Sequence, residues 1–92
     1  MSATDEQEPS LIEYPCRFPI KVMGANTSDF VAAVTAMAQA VDPGFGAEHL
    51  EQRPSRAGNY LGLTVQVWVH NREQLDGLYR AFTGHPLVKY VL

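Results

Sequence analysis

The chain has little cysteine, no long apolar run and no surplus of positive charge, and each shortage excludes something. Cys16 is its single cysteine, so no internal disulfide can staple the fold. A small disulfide-built secreted scaffold is thereby excluded, and a reducing cytoplasm is the expected setting. No hydrophobic stretch approaches the ~20 residues that cross a bilayer. Residues 1–9 are acidic, unlike the basic start of a secretory signal. Seven Lys and Arg stand against ten Asp and Glu, a net charge of −3. A generally basic nucleic-acid binder is disfavoured by that balance. Neither a Walker-type nor a dinucleotide-type glycine motif occurs, so no phosphate-cradling loop is expected.

What is present is globular composition in 92 residues, 46% of them hydrophobic and 18% charged. That is one domain with one core. The acids are concentrated at the start, where Asp5, Glu6, Glu8 and Glu13 occur without a Lys or Arg before Tyr14. From Tyr14 onward six acids face seven bases, a net of +1. Residues 1–10 lack apolar periodicity and read as a disordered acidic leader. A single domain is expected over residues 11–92.

Hydrophobic periodicity orders the elements. Phe18, Ile20 and Val22 alternate with Pro19, Lys21 and Met23, the period of a half-buried strand that Gly24 is expected to end. Asn26 is the expected N-cap of a helix carrying Phe30, Val34, Met37, Ala38 and Val41 on one stripe. Asp42-Pro43-Gly44 stops it. Glu48–Arg53, followed by Pro54, suits an edge strand. Ser55–Asn59 supplies turn chemistry. In Tyr60–His70 every odd position is Leu or Val, while the even ones are polar, aromatic or glycine. One face is therefore core and the other is not. Asn71 with Gln74 caps a second helix bearing Leu75, Leu78, Tyr79 and Phe82, and Val88–Leu92 is a terminal strand.

The order βαββαβ predicts an α+β two-layer sandwich of ferredoxin-like form, with a four-stranded antiparallel sheet and both helices on one face. Phe30, Val34, Leu63, Val65, Val67, Leu75, Leu78 and Phe82 are the expected core. The opposite sheet face is left without helical cover. By alternation it presents Lys21, Met23, Tyr60, Thr64, Gln66, Trp68, Lys89 and Val91. An exposed Trp68 there marks a candidate surface for a partner protein or for self-association. Two other readings of Trp68 stay open: cover by Leu11–Pro15, or a one-residue slip of register that exchanges the faces.

The stretches Phe18–Gly24, Pro54–Tyr60 and Val88–Leu92 resemble the YbeD-like family of small bacterial proteins of unknown function. The resemblance runs over residues 11–92. Arg56-Ala57 departs from it, since the basic residue is expected beside the glycine. It implies a ferredoxin-like fold related to ACT regulatory domains and a proposed part in regulating lipoate metabolism. It implies no catalytic residue and no cofactor.

The search for chemistry agrees. Cys16 has no neighbouring base and reads as a structural cysteine. His49, His70 and His85 fall on three different elements, and no metal-ligand spacing occurs among them. Gly24, Ala25 and Asn26 form the candidate effector turn, because ACT-type domains bind small effectors near this connection; a plain capped turn is the alternative. The expected role is a non-enzymatic regulatory or interaction module acting through the open face. A metabolite-sensing domain is the alternative. RNA binding is the weaker one, because Tyr60–Thr64 lacks the paired aromatics that stack bases in RRM domains.

Overall fold

The computed structural model describes residues 12–92. The expected leader, residues 1–10, lies outside them. Six main elements follow in the expected order: β1 (Cys16–Ala25), α1 (Ser28–Val41), β2 (Leu50–Pro54), β3 (Tyr60–Val69), α2 (Arg72–Thr83) and β4 (Val88–Val91). The strands form one antiparallel sheet in the order β2-β3-β1-β4. The long central partner of β1 is β3, in register from Cys16 opposite Val69 to Ala25 opposite Tyr60.

Alternation along β1 and β3 decides the layers. Ile20, Val22, Leu61, Leu63, Val65, Val67 and Val69 are buried in one cluster with Phe30, Val34 and Ala38 of α1 and Leu75, Leu78 and Phe82 of α2. Both helices therefore cover the same sheet face, and the expected core residues are all in it. Phe45, on the loop after α1, joins them as a core residue that periodicity does not reveal. The half-buried Ile12 and Tyr14 also pack against this cluster. The described part of the N-terminal segment thus packs with the core; Leu11, which the Leu11–Pro15 cover of Trp68 would include, lies outside the described residues.

Three local expectations are corrected. Gly24 does not end β1; it lies inside the strand, paired with both Leu61 and Val88. A Cβ there would sit 2.6 Å from the Leu87 carbonyl oxygen and 2.6 Å from the Phe30 ring, so glycine is set by close packing. The cap of α1 is Thr27, whose hydroxyl accepts the Phe30 N–H at 3.1 Å. Asn26 instead donates its side-chain amide to the Gly58 carbonyl at 3.0 Å. Glu48 and His49 belong to a 3-10 turn (Ala47–His49) ahead of β2. His49 Nδ1 accepts the Gly46 N–H at 3.2 Å, which closes the chain on itself before the strand begins.

The second cap is as expected. Asn71 accepts the Gln74 N–H at 2.9 Å, and the Gln74 side chain accepts the His70 N–H at 2.8 Å. In the 55–59 turn, Gly58 holds φ +81°, a conformation L side chains rarely adopt.

Asp42 does more than stop α1. It is a buried carboxylate, and β2 pairs with β3 only as far as Val65. Beyond that point Asp42 Oδ2 accepts the Trp68 N–H at 3.1 Å, while Arg17 Nη1 donates to the Gln66 carbonyl at 3.0 Å. The two side chains, joined at 3.5 Å, stand in for the missing strand. Asp42 Oδ1 also accepts the Gly44 N–H at 3.1 Å. Asp42→Ala is expected to lower stability by about 2 kcal/mol, because it leaves the partly buried Trp68 and Gly44 N–H groups without their acceptor. The urea midpoint at constant m-value measures this, and Asp42→Asn, which keeps one acceptor oxygen, is expected to lose less.

Candidate functional site

Among the described residues no helix or loop covers the face opposite the helices, as the alternation predicts. Lys21, Tyr60, Gln66, Trp68 and Lys89 are exposed on it, and Met23 and Thr64 are partly so. One expected member is misplaced. Val91 pairs with Val22 and packs against the core. The cause is a register shift between β1 and β4: Met23 faces Tyr90, but Gly24 faces Val88. Lys89 is the extra residue, so Lys89 and Tyr90 both reach the open side and alternation fails for one step. Tyr90, 49% exposed, is therefore a surface residue that sequence reasoning missed. No local signal announces a bulge of this kind.

The rings on this face are unequal. Trp68 lies at one end, opposite Arg17 in the ladder, and the Arg17 guanidinium stands 5.7 Å from its ring centre. Its edge meets the His70 ring at 6.5 Å. Among the described residues Arg17 stands over part of its face, and its exposure is 36%. Tyr60 lies at the other end of β3, with Lys89 Nζ 5.4 Å from its ring centre.

Between the two ends the sheet is hollow. Gly62 has no side chain, and the Met23 thioether leans over it. A groove of about 430 Å³ opens there between Lys21 and Met23 of β1, Gly62 and Thr64 of β3, Arg53 of β2 and Tyr90 of β4. Apolar atoms line most of it, and Lys21 and Arg53 stand on opposite sides. Only β3 lies between their strands, and Lys21 stands in the row of Thr64, two residues along from the row of Gly62 and Arg53, so the cations are rooted about 12 Å apart on the diagonal of the groove.

Charge is segregated in a way the total conceals. Arg17, Lys21 and Lys89 lie on the open face, and Arg53 joins them through its pairing with Gly62. Glu51, opposite Thr64 in the ladder, is the acid that accompanies them. The ion pairs among the described residues are Arg17–Asp42 and Arg72–Asp76. Lys21, Arg53 and Lys89 thus have no carboxylate partner there. The helix side carries three acids, Asp29, Glu73 and Asp76, with the two bases Arg72 and Arg80. It also carries Tyr79, whose phenol is pushed up from its ordinary pKa by burial.

The expected effector turn is not a comparable site. Gly24 is closed off by Phe30 and Leu87, and Asn26 is engaged with Gly58. Beside Asn26 and Thr27 lies only an open depression without a charged residue in its lining. Cys16 is half-buried against the core. The histidines are apart: His85 Nδ1 accepts the Leu87 N–H, His49 serves the 3-10 turn, and His70 stands by Trp68. Among the described residues no helix is long and apolar enough to cross a membrane.

Strand order, antiparallel pairing and a shared helical layer define a ferredoxin-like α+β domain, one sheet face of which is cation-rich and has no cover among the described residues. Its backbone is similar to the solution structure of protein HP0495 from H. pylori, with a TM-score of 0.71 at 18% identity, over 96% of this chain and 91% of that one. In sequence it is 57% identical to the UPF0250 protein of Leptothrix cholodnii over 94% of both chains. It is 56% identical to that of Janthinobacterium sp. over the full length of both. Residues 9–92 match the family model described as "Protein of unknown function (DUF493)". The chain belongs to this small, uncharacterised bacterial family, in keeping with the resemblance carried by Phe18–Gly24, Pro54–Tyr60 and Val88–Leu92.

Proposed function

We propose that this chain is a non-enzymatic interaction module that docks a partner protein on its open sheet face. The observation that carries the reading is the groove over Gly62, flanked by Lys21 and Arg53, on a face whose cations have no carboxylate partner among the described residues. A face of this kind supplies recognition chemistry: an apolar hollow for an anchor and charges that set orientation. The test is comparative affinity capture from the cells that make the protein, using wild type, Lys21→Glu on the open face and Arg80→Glu on the helix side. Proteins retained by wild type and Arg80→Glu but lost with Lys21→Glu are the expected result. An identical set from all three overturns the reading.

The link to lipoate metabolism, implied by the family resemblance, is a narrower form of the same proposal. It calls for a lipoate-pathway enzyme among the proteins whose capture depends on Lys21. A second reading, a metabolite-sensing domain, is favoured by the groove volume, which falls within the ~300–1,000 Å³ of small-molecule sites. A ligand bound only by the native state raises the melting temperature. Melts with amino acids and lipoyl-type carboxylates, in wild type and Lys21→Glu, form the second arm of the test; flat melts in both discard this reading.

A further inference from the structure

The docking reading leaves the partner's chemistry open, and the open face itself narrows it. Three features occur together around Gly62. The first is a hollow walled by the Met23 thioether and the Tyr90 ring, large enough for one branched aliphatic side chain. The second is a pair of cations at diagonal corners of it, Arg53 on β2 beside Gly62 and Lys21 on β1 beside Thr64, against one acid in the lining, Glu51, across Thr64 from Lys21. The third is the want of any carboxylate partner for those cations among the described residues. We infer that the groove takes an extended acidic peptide segment, with an aliphatic side chain seated over Gly62 and carboxylates two residues to either side on Lys21 and Arg53. This inference rests on the docking reading and names its partner class.

The spacing suits such a segment. In an extended chain, residues i−2, i and i+2 point the same way, and each residue advances about 3.3 Å. The outer two therefore lie about 13 Å apart. Two flexible cationic side chains rooted about 12 Å apart can meet both. A glycine at the centre lets an incoming side chain approach the sheet backbone.

A single-stranded nucleic acid is also anionic, but the rings argue against it. Base-stacking platforms place aromatic rings on the central strands of the sheet with their faces free. Here the central positions are Lys21, Met23, Gly62 and Thr64. Tyr60 and Trp68 stand at opposite ends of β3, and each already has a cation over its ring. What remains free at the centre is a hollow for an aliphatic group.

The experiment titrates the full chain, followed by amide chemical shifts, with the synthetic peptide Glu-Ala-Leu-Ala-Glu. Comparison ligands are the isosteric Gln-Ala-Leu-Ala-Gln and an oligouridylate of about eight nucleotides. The acidic peptide is expected to bind about fivefold to tenfold more tightly than the neutral one, two exposed ion pairs being worth that much. Its advantage should shrink with added salt and its shifts should centre on Gly62 and Thr64. Lys21→Gln with Arg53→Gln removes the preference while the protein stays folded, since both residues are exposed. Gly62→Val fills the hollow and abolishes binding of both peptides. Equal binding of the two peptides, no binding by either, tighter binding of the oligonucleotide, or shifts centred on the helices overturns the inference. Capture that depends on Lys21 combined with any of those outcomes discards the acidic-segment assignment and leaves the docking reading standing.

Discussion

Phe30→Ala is expected to lower the unfolding free energy by about 3–5 kcal/mol, the usual loss for truncating a fully buried phenylalanine. The ring is completely buried in the first turn of α1 and touches the backbone of β1 at Gly24. Removing it subtracts apolar burial and leaves a cavity between helix and sheet that the strand, held by β3 on one side and β4 on the other, cannot collapse to fill. Small domains have only about 5–15 kcal/mol in total, so this variant should unfold at markedly lower urea, with an unchanged m-value. Val31→Ala, one residue on and only partly buried, is the control and is expected to lose much less. Equal losses at the two positions would mean that α1 packs through a different stripe.

Gly24→Val has the second largest expected effect, and local preference gives it the wrong sign. Valine favours strands and glycine weakens them, so strand propensity alone predicts a gain. Packing predicts a loss of about 3 kcal/mol, at the upper end of what overfilling a tight site costs. The Leu87 carbonyl oxygen and the Phe30 ring both lie where the new Cβ must go. The oxygen belongs to the backbone, so no rotamer change relieves it. Gly62→Val makes the comparison. It lies one ladder step away on the opposite face, where the nearest neighbour is the flexible end of Met23 at 3.3 Å. Its stability is expected to change by under about 1 kcal/mol, and matching denaturation curves for the two variants would show that the faces had been exchanged.

Those two glycines divide what local pattern carries from what it does not. Read along the chain, Gly24 is a strand terminator and Asn26 a cap. In the fold Gly24 is a contact point one residue before the end of β1, and Asn26 holds the turn before Tyr60 while Thr27 caps the helix. Val91 and Tyr90 exchange faces for a similar reason: the extra residue at Lys89 exists only in the pairing of β4 with β1. Phe45 enters the core from a loop without a period to betray it.

The scarcities of the sequence retain their force, with one change. A single cysteine and the want of a long apolar run still exclude a disulfide scaffold and a spanning helix among the described residues. The modest basic count concealed where the bases go. By itself the sequence determined the order of elements, the two helical stripes, the aliphatic face of β3 and the Asn71 cap, because these follow from side-chain periods of 3.6 and 2.0 and from hydrogen bonds between near neighbours. Only the tertiary structure decided that Asp42 completes a sheet edge, that Arg17 lies over Trp68, and that Lys21 and Arg53 line one groove at Gly62. Each of these joins residues distant in sequence, through a register that long-range strand pairing alone establishes.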